Sequence, residues 1–128
     1  MTNIALSVAA ILTFAIGAVH SWAGERRLIG PLLAPERRQA LLDKSIFARR
    51  VLRFAWHLTT VAWWGIGAML VALAHTPVDP SGRLVLWIIA ATFLINAIVI
   101  LLTSRGRNLA WPVFIAIAAL SIAPIFSR

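Results

Sequence analysis

The sequence predicts an all-α, polytopic membrane protein with four transmembrane helices in a compact bundle. Composition is the first observation behind this fold class. The 128 residues are 61% hydrophobic and 12% charged, whereas charged residues make up roughly a quarter of a soluble domain. The mean hydropathy of +0.90 is also typical of a chain that lies mostly in lipid.

Four segments without charged side chains are the second observation. Each is close to the ~20 residues that cross a ~30 Å hydrocarbon core as a helix. They cover about residues 3–23, 54–74, 84–104 and 108–127. The first segment lacks the basic start of a secretory signal peptide, so we interpret it as a spanning helix. Residues 1–128 should form a single domain.

The basic residues indicate the orientation of these helices. The connector over residues 25–53 carries eight of them and the turn between the third and fourth segments carries two, against two on the opposite side. Cytoplasmic loops are enriched in Lys and Arg. We therefore expect the connector in the cytoplasm, both termini outside it, and the cell (inner) membrane as the location. The net charge of +8 is then a topology signal and does not indicate nucleic acid.

The connector has two local signals of its own. Ala34-Pro35-Glu36 resembles a helix start and predicts a short interfacial helix over Glu36–Arg50. Gly30-Pro31 predicts a break in any helix that continues from the first segment. The eight cations should attract anionic lipid headgroups from the bilayer.

Small residues predict how the helices pack. Without a hydrophobic driving force between helices in lipid, small side chains favour contact because they let backbones approach. The first helix carries a stripe of Ala9, Thr13, Gly17, His20 and Gly24, and the fourth carries Pro112, Ala116, Ala119 and Ala123.

Helical spacing also predicts a polar chamber in the cytoplasmic half of the bundle. The predicted ligand or proton site consists of His20, His57, Thr60, Asn96 and Thr103, with Arg26, Arg27, Arg50 and Arg53 at its rim. The two histidines lie ~5 Å inside the same boundary at the standard helical rise. Ionisable groups within spanning segments are by default functional hypotheses.

Each of these residues also has a structural interpretation. Asn96 is suited to an interhelical hydrogen bond, threonines in helices commonly bond their own helix carbonyls, and a histidine near an interface often bonds locally. Ser21, His20 and Glu25 are the residue types of a catalytic triad, but neighbouring helical side chains diverge, so the sequence does not favour one.

Three function classes fit this pattern. The favoured class is a non-enzymatic helper or subunit, acting as a homodimer or in a larger membrane complex. The second is binding of a haem or divalent metal by His20 and His57, where a metal site would need Glu25 or a second copy as a further ligand source. The third is a conduit for a small solute or proton, which would need an oligomer because four helices enclose little volume. The chain has no cysteine, so a cysteine nucleophile or thiolate ligand is excluded.

Overall fold

The fold is all helical, as the sequence predicts. The computed structural model describes residues 3–37 and 39–127, and within them no strand is present. Arg38 and Arg128, which belong to the predicted charge asymmetry, lie outside these residues. The helices are α1 (Ile4–Gly24), α2 (Gly30–Leu33), α3 (Ala40–Lys44), α4 (Ile46–Ala74), α5 (Pro80–Ser104) and α6 (Ala110–Phe126), with a π-helical turn (Glu25–Ile29) between α1 and α2.

Three of the helical stretches are long and apolar enough to cross a membrane. They are Ile4–Leu33 with 30 residues, Ile46–Ala74 with 29 and Pro80–Ser104 with 25. The fourth apolar helix, α6, is shorter at 17 residues. These lengths indicate a membrane protein, since ~20 residues of helix span the hydrocarbon core.

The predicted break at Gly30-Pro31 is wrong, because the chain stays helical from α1 through the π-helical turn into α2. A proline inside an α-helix clashes with the carbonyl four residues earlier. One wider turn relieves such a clash by inserting an extra residue. Gly30 permits this turn, since a Cβ there would lie only 2.7 Å from the backbone oxygen of Glu25.

The predicted interfacial helix over Glu36–Arg50 is also wrong in its extent. Its middle forms the five-residue α3, and the rest from Ile46 onward belongs to α4. Ser45 separates the two helices because its Oγ accepts a hydrogen bond from the backbone N–H of Ala48, at 3.1 Å, and so caps α4. Helix α4 therefore begins about two turns before the charge-free segment that predicted it.

Helix α1 packs against α4 on one side and α6 on the other, and α5 packs against α6. The backbone N–H of Asn3 donates to the carbonyl of Ala74 at 2.8 Å, so the start of α1 and the end of α4 lie level with each other. The core between the helices contains large side chains with almost no exposed surface, among them Leu6, Leu70, Phe93, Phe114 and Ile117.

The small-residue prediction holds for α1 and fails for α6. Ala9, Thr13, Gly17 and Gly24 are buried on α1. On α6 the buried residues are Phe114, Ile117, Ala118 and Ser121, whereas Pro112, Ala119 and Ala123 of the predicted stripe are exposed and Ala116 is only half-buried. Apart from Ser121, helix α6 is apolar on all sides, so the spacing of its small residues could not identify the packed face.

Candidate functional site

The contact between α1 and α4 is built on three hydrogen bonds from side chains to backbone. Trp56, Thr60 and Trp64 are spaced by four residues on α4, which places them on one face. Trp56 Nε1 donates to the carbonyl of His20 at 3.2 Å and Trp64 Nε1 donates to the carbonyl of Phe14 at 3.2 Å. Between them, Thr60 Oγ1 lies 3.3 Å from the carbonyl of Gly17.

Glycines on α1 make room for these side chains. A Cβ at Gly17 would lie 2.7 Å from Trp64 Nε1, and a Cβ at Gly24 would overlap the indole of Trp56. Contacts under 3.0 Å require a neighbour to move. The glycines in the small-residue stripe of α1 thus leave space for the indoles of Trp56 and Trp64 on α4.

Five polar side chains form a connected set beside this contact, at the end of the helices that carries the connector. Glu25 lies between Arg53 and His57, with Oε1 2.8 Å from Arg53 NH2 and Oε2 3.2 Å from His57 Nε2. Ser21 Oγ lies 2.8 Å from His57 Nδ1 and 2.7 Å from Thr60 Oγ1. We call these residues, Ser21, Glu25, Arg53, His57 and Thr60, the polar network.

Local helix geometry places each member of the polar network. Ser21 lies on α1 and Glu25 follows it by four residues in the continuing helix. Arg53, His57 and Thr60 are spaced by four and three on α4, so each set shares one face. Glu25 is also the first residue of the π-helical turn. Such turns occur frequently at functional sites.

The polar network accommodates two protonation states of His57. With a neutral ring, Nε2–H donates to Glu25, Ser21 donates to Nδ1 and Thr60 donates to Ser21. With a protonated ring, Nδ1–H donates to Ser21, Ser21 donates to Thr60, and Thr60 donates to the carbonyl of Gly17. Both patterns use each donor once and agree with the pairs around Ser21 and His57, but only the second contains the observed bond from Thr60 to the carbonyl of Gly17. The two patterns therefore differ in the direction of the two hydroxyl groups and in the bond from Thr60 to Gly17.

Ser21, His57 and Glu25 occur in the hydrogen-bonded order of a catalytic triad. The serine pairs with His57 and not with its chain neighbour His20, which the sequence had placed beside it. Ser21 is nevertheless also bound to Thr60, and it lies inside α1, where backbone N–H groups are used by the helix. An oxyanion formed here would lack the free backbone donors that commonly stabilise it in acyl transfer.

His20 has different neighbours from His57. Its ring stacks on Trp56 with centroids 4.4 Å apart and planes 8° apart, and it meets the ring of Trp63 at 4.9 Å and 61°. Its Nε2 is buried and has no hydrogen-bond partner in the described part of the chain. No hydrogen bond joins His20 to His57 there.

Of the remaining predicted site residues, Asn96, Thr103 and three of the four rim arginines are not part of the polar network. Asn96 Nδ2 donates to the carbonyl of Thr92 at 2.8 Å, and Thr103 Oγ1 donates to the carbonyl of Val99 at 2.7 Å, all within α5. Of the predicted rim, Arg53 binds Glu25 and Arg26 lies over the ring of Trp22, 5.0 Å from its centroid. Arg27 and Arg50 are exposed.

The fold brings no further ligand to the metal site predicted at His20 and His57. Among the described residues, no group of three or more His, Asp or Glu side chains is placed to hold a metal ion. His57 and Glu25 adjoin each other, but the third neighbour of Glu25 is the cation Arg53. A cation in this position disfavours a metal ion because like charges repel.

Two open cavities border the polar network. One, of about 520 Å³, is lined by Ser21, Glu25 and His57 together with Ala18, Trp22, Arg26 and Trp64. The other, of about 500 Å³, lies between α2 and the start of α4. It is lined by Gly30, Leu33, Ala34, Ile46, Arg49, Arg50, Arg53 and Phe54; we call it the arginine pocket.

The sequence interpretation missed Ser21 as a partner of His57, and it considered Glu25 as a metal ligand and as a member of a disfavoured triad with His20 but not as a partner of His57. A signal for both was present, because the two share a face at a spacing of four residues. It became informative only once α1 and α4 were known to pack against each other at this register. No family model, curated protein or solved structure matches the chain, so the site rests on its own geometry.

Proposed function

We propose that this protein is a small, non-enzymatic helper or subunit of the inner membrane, in which four transmembrane helices form a bundle and the polar network joins α1 to α4. Both termini lie outside the cytoplasm in this arrangement. The observation that carries the proposal is that the members of the polar network bind one another across the helix contact, from Arg53 at one end to Thr60 and the Gly17 carbonyl at the other.

Helix lengths support the placement in the membrane. From Ile4 to Gly24 is ~30 Å at the helical rise, and from Ala74 back to Arg53 is ~31 Å. The outer ends of the two stretches lie at the same level, because the backbone N–H of Asn3 donates to the carbonyl of Ala74. Each therefore crosses one hydrocarbon thickness, and Glu25 and Arg53 come to the same inner boundary. Helix α6, at 17 residues, is at the short end of the spanning range.

The depth of the polar network fits a role in holding helices together. Arg53 and Glu25 sit where water and headgroups solvate charge, while His57 and Thr60 lie one and two turns deeper. Along α4 the exposed fraction of the side chain falls with depth, from 52% for Arg53 to 38% for His57, and Thr60 is buried. Interhelical hydrogen bonds in membranes are worth on average ~0.6 kcal/mol each. A connected set of them favours one register of α1 against α4.

The two alternative functions have weaker support. A haem between His20 and His57 needs both rings directed at a common iron, yet the His20 ring lies between two indoles and the His57 ring between Ser21 and Glu25. A proton conduit needs a path across the membrane, but the connected groups stop at Gly17. The next hydroxyl along α1, Thr13, is buried and bonded to the carbonyl of Ala9 at 2.8 Å.

The polar network also supports a partner subunit or a second copy of the chain. The side chains of Glu25 and His57 remain 36% and 38% exposed toward the 520 Å³ cavity. His57 lies one turn inside the boundary, where a polar group that faces lipid is costly, so a neighbouring protein surface over this cavity would stabilise it. Ala18 lies at the cavity and is exposed. The chain has no cysteine, so an introduced one reports on its own position alone.

The proposal is tested on the purified chain in three measurements. We expect no haem absorption band, no proton flux in liposomes beyond that of empty liposomes, and a lower unfolding midpoint for Glu25→Gln. In a separate experiment in native membranes, we expect Ala18→Cys to cross-link to the neighbouring protein. Ile98→Cys, on the exposed face of α5, is the matched control and should not cross-link. An absorption band that disappears in His20→Ala or His57→Ala would replace this function with haem binding. A flux that disappears in Glu25→Gln would replace it with proton conduction.

A further inference from the structure

The arginine pocket combines positive charge with an apolar wall at the connector end of the molecule. Arg49, Arg50 and Arg53 line one side, and Ile46 and Phe54 lie beside them. The two apolar side chains are 60% and 65% exposed. A cavity of this kind suits a molecule with an anionic head and a hydrocarbon tail.

The three arginines of the pocket differ in whether their guanidinium groups already have partners. Arg49 NH1 donates to the carbonyls of Leu42 and Asp43, at 2.6 and 3.0 Å, which holds α3 against α4. Arg53 pairs with Glu25. Arg50 is exposed, and its guanidinium makes no hydrogen bond or ion pair among the described residues. The pocket thus contains three cations against one carboxylate at its edge.

The start of α4 adds to the positive potential. The arginine pocket includes Ile46, the first residue of that helix, and the first turn contains no acidic residue. A helix N-terminus carries a partial positive charge that favours phosphate. The pocket volume of about 500 Å³ leaves room for a phosphate with its glycerol.

From these observations we infer that the arginine pocket is a binding site for the phosphate headgroup of an anionic phospholipid, held by Arg50 and Arg53. The inference rests on the proposed function for its depth, since Arg53 must lie at the inner boundary of the membrane. The acyl chains then run along Phe54 toward the hydrocarbon core. Basic pockets between helices on the cytoplasmic side are typical sites for such headgroups.

Arg53 links this site to the polar network. A phosphate in the arginine pocket competes with Glu25 for the Arg53 guanidinium, which lies at 2.8 Å from Glu25 Oε1. Removing the Glu25 charge should therefore strengthen lipid binding. An increase in affinity distinguishes this competition from general damage, which weakens binding.

The test uses the full chain in an uncharged detergent and follows the unfolding midpoint during titration with dihexanoyl phosphatidylglycerol. We expect a saturable rise that dihexanoyl phosphatidylcholine and inorganic phosphate do not produce at the same concentrations. Arg50→Gln should raise the half-saturating concentration about fivefold, as loss of one cation at an anionic surface does. Glu25→Gln should lower it about two- to fivefold, the range for an exposed ion pair.

Arg107→Gln is the matched control, because it removes one cation from the exposed turn between α5 and α6. It should change the half-saturating concentration by much less than Arg50→Gln. Equal effects of the two substitutions would overturn the site, since binding would then follow net charge. Equal stabilisation by inorganic phosphate would overturn the lipid as ligand. Unchanged or weaker binding in Glu25→Gln would overturn the competition for Arg53. The spectrum and flux measurements test the proposed function independently of these results.

Discussion

Gly17→Ala tests the close contact between α1 and α4 with a single methyl group. The new Cβ would lie 2.7 Å from Trp64 Nε1 and 3.0 Å from its Cδ1, so the indole must retreat by about 0.7 Å to regain an ordinary contact of 3.4 Å. That movement lengthens the 3.2 Å hydrogen bond from Trp64 to the carbonyl of Phe14. Overpacking of this kind costs about 1–3 kcal/mol, and loss of the bond adds ~0.6 kcal/mol.

Gly65→Ala is the matched control for this substitution. A Cβ at Gly65 meets nothing within 4 Å, yet the change in helix propensity is the same glycine-to-alanine difference. The two variants should therefore differ by about 1.6–3.6 kcal/mol in the free energy of unfolding, with Gly17→Ala the less stable. The measurement is reversible unfolding in mixed detergent micelles. Equal stability of the two variants would refute the assigned α1–α4 contact.

Three further predictions follow from the same structure. Ala116→Leu, at a half-buried position, should cost less unfolding free energy than Gly17→Leu, and the reverse order would show that α6 packs through its small residues after all. Cysteines placed at Gln39 and Thr76 should react with a membrane-impermeant thiol reagent from opposite sides of the membrane, Gln39 from the cytoplasm; labelling of Gln39 from outside would invert the topology. The effects of His20→Ala and His57→Ala on stability should add, because the rings have separate neighbours, and an interaction energy well above ~0.5 kcal/mol would restore them as one site.

The parts of the fold that the sequence predicts are those with one dominant physical cause. Charge-free runs of about 20 residues mark the apolar helices because the cost of charge in lipid outweighs other preferences. The buried stripe of α1 follows from its glycines, since their positions coincide with helical spacing. Helix α4 begins earlier than its apolar run because Ser45 caps it at Ile46, and Arg49, Arg50 and Arg53 are residues that a helix accommodates well.

The remaining features depend on packing that a single sequence does not specify. The π-helical turn arises where Pro31 and Gly30 are accommodated within a continuous helix, and the same residues also predict a break. The pairing of Ser21 with His57 depends on the register of α1 against α4, which the indoles of Trp56 and Trp64 determine. On α5, Asn96 bonds its own helix, so its polarity alone did not indicate a contact with α1.

The most direct test of the polar network is a double-mutant cycle between Ser21→Ala and His57→Ala, measured by reversible unfolding in mixed micelles. The 2.8 Å contact between Ser21 Oγ and His57 Nδ1 predicts an interaction energy of at least ~0.6 kcal/mol, the average for interhelical hydrogen bonds in membranes. A control cycle between His57→Ala and Ser121→Ala should give an interaction energy near zero, because Ser121 bonds the carbonyl of Ile117 within α6. An interaction energy near zero in both cycles would contradict the claim that the polar network joins α1 to α4.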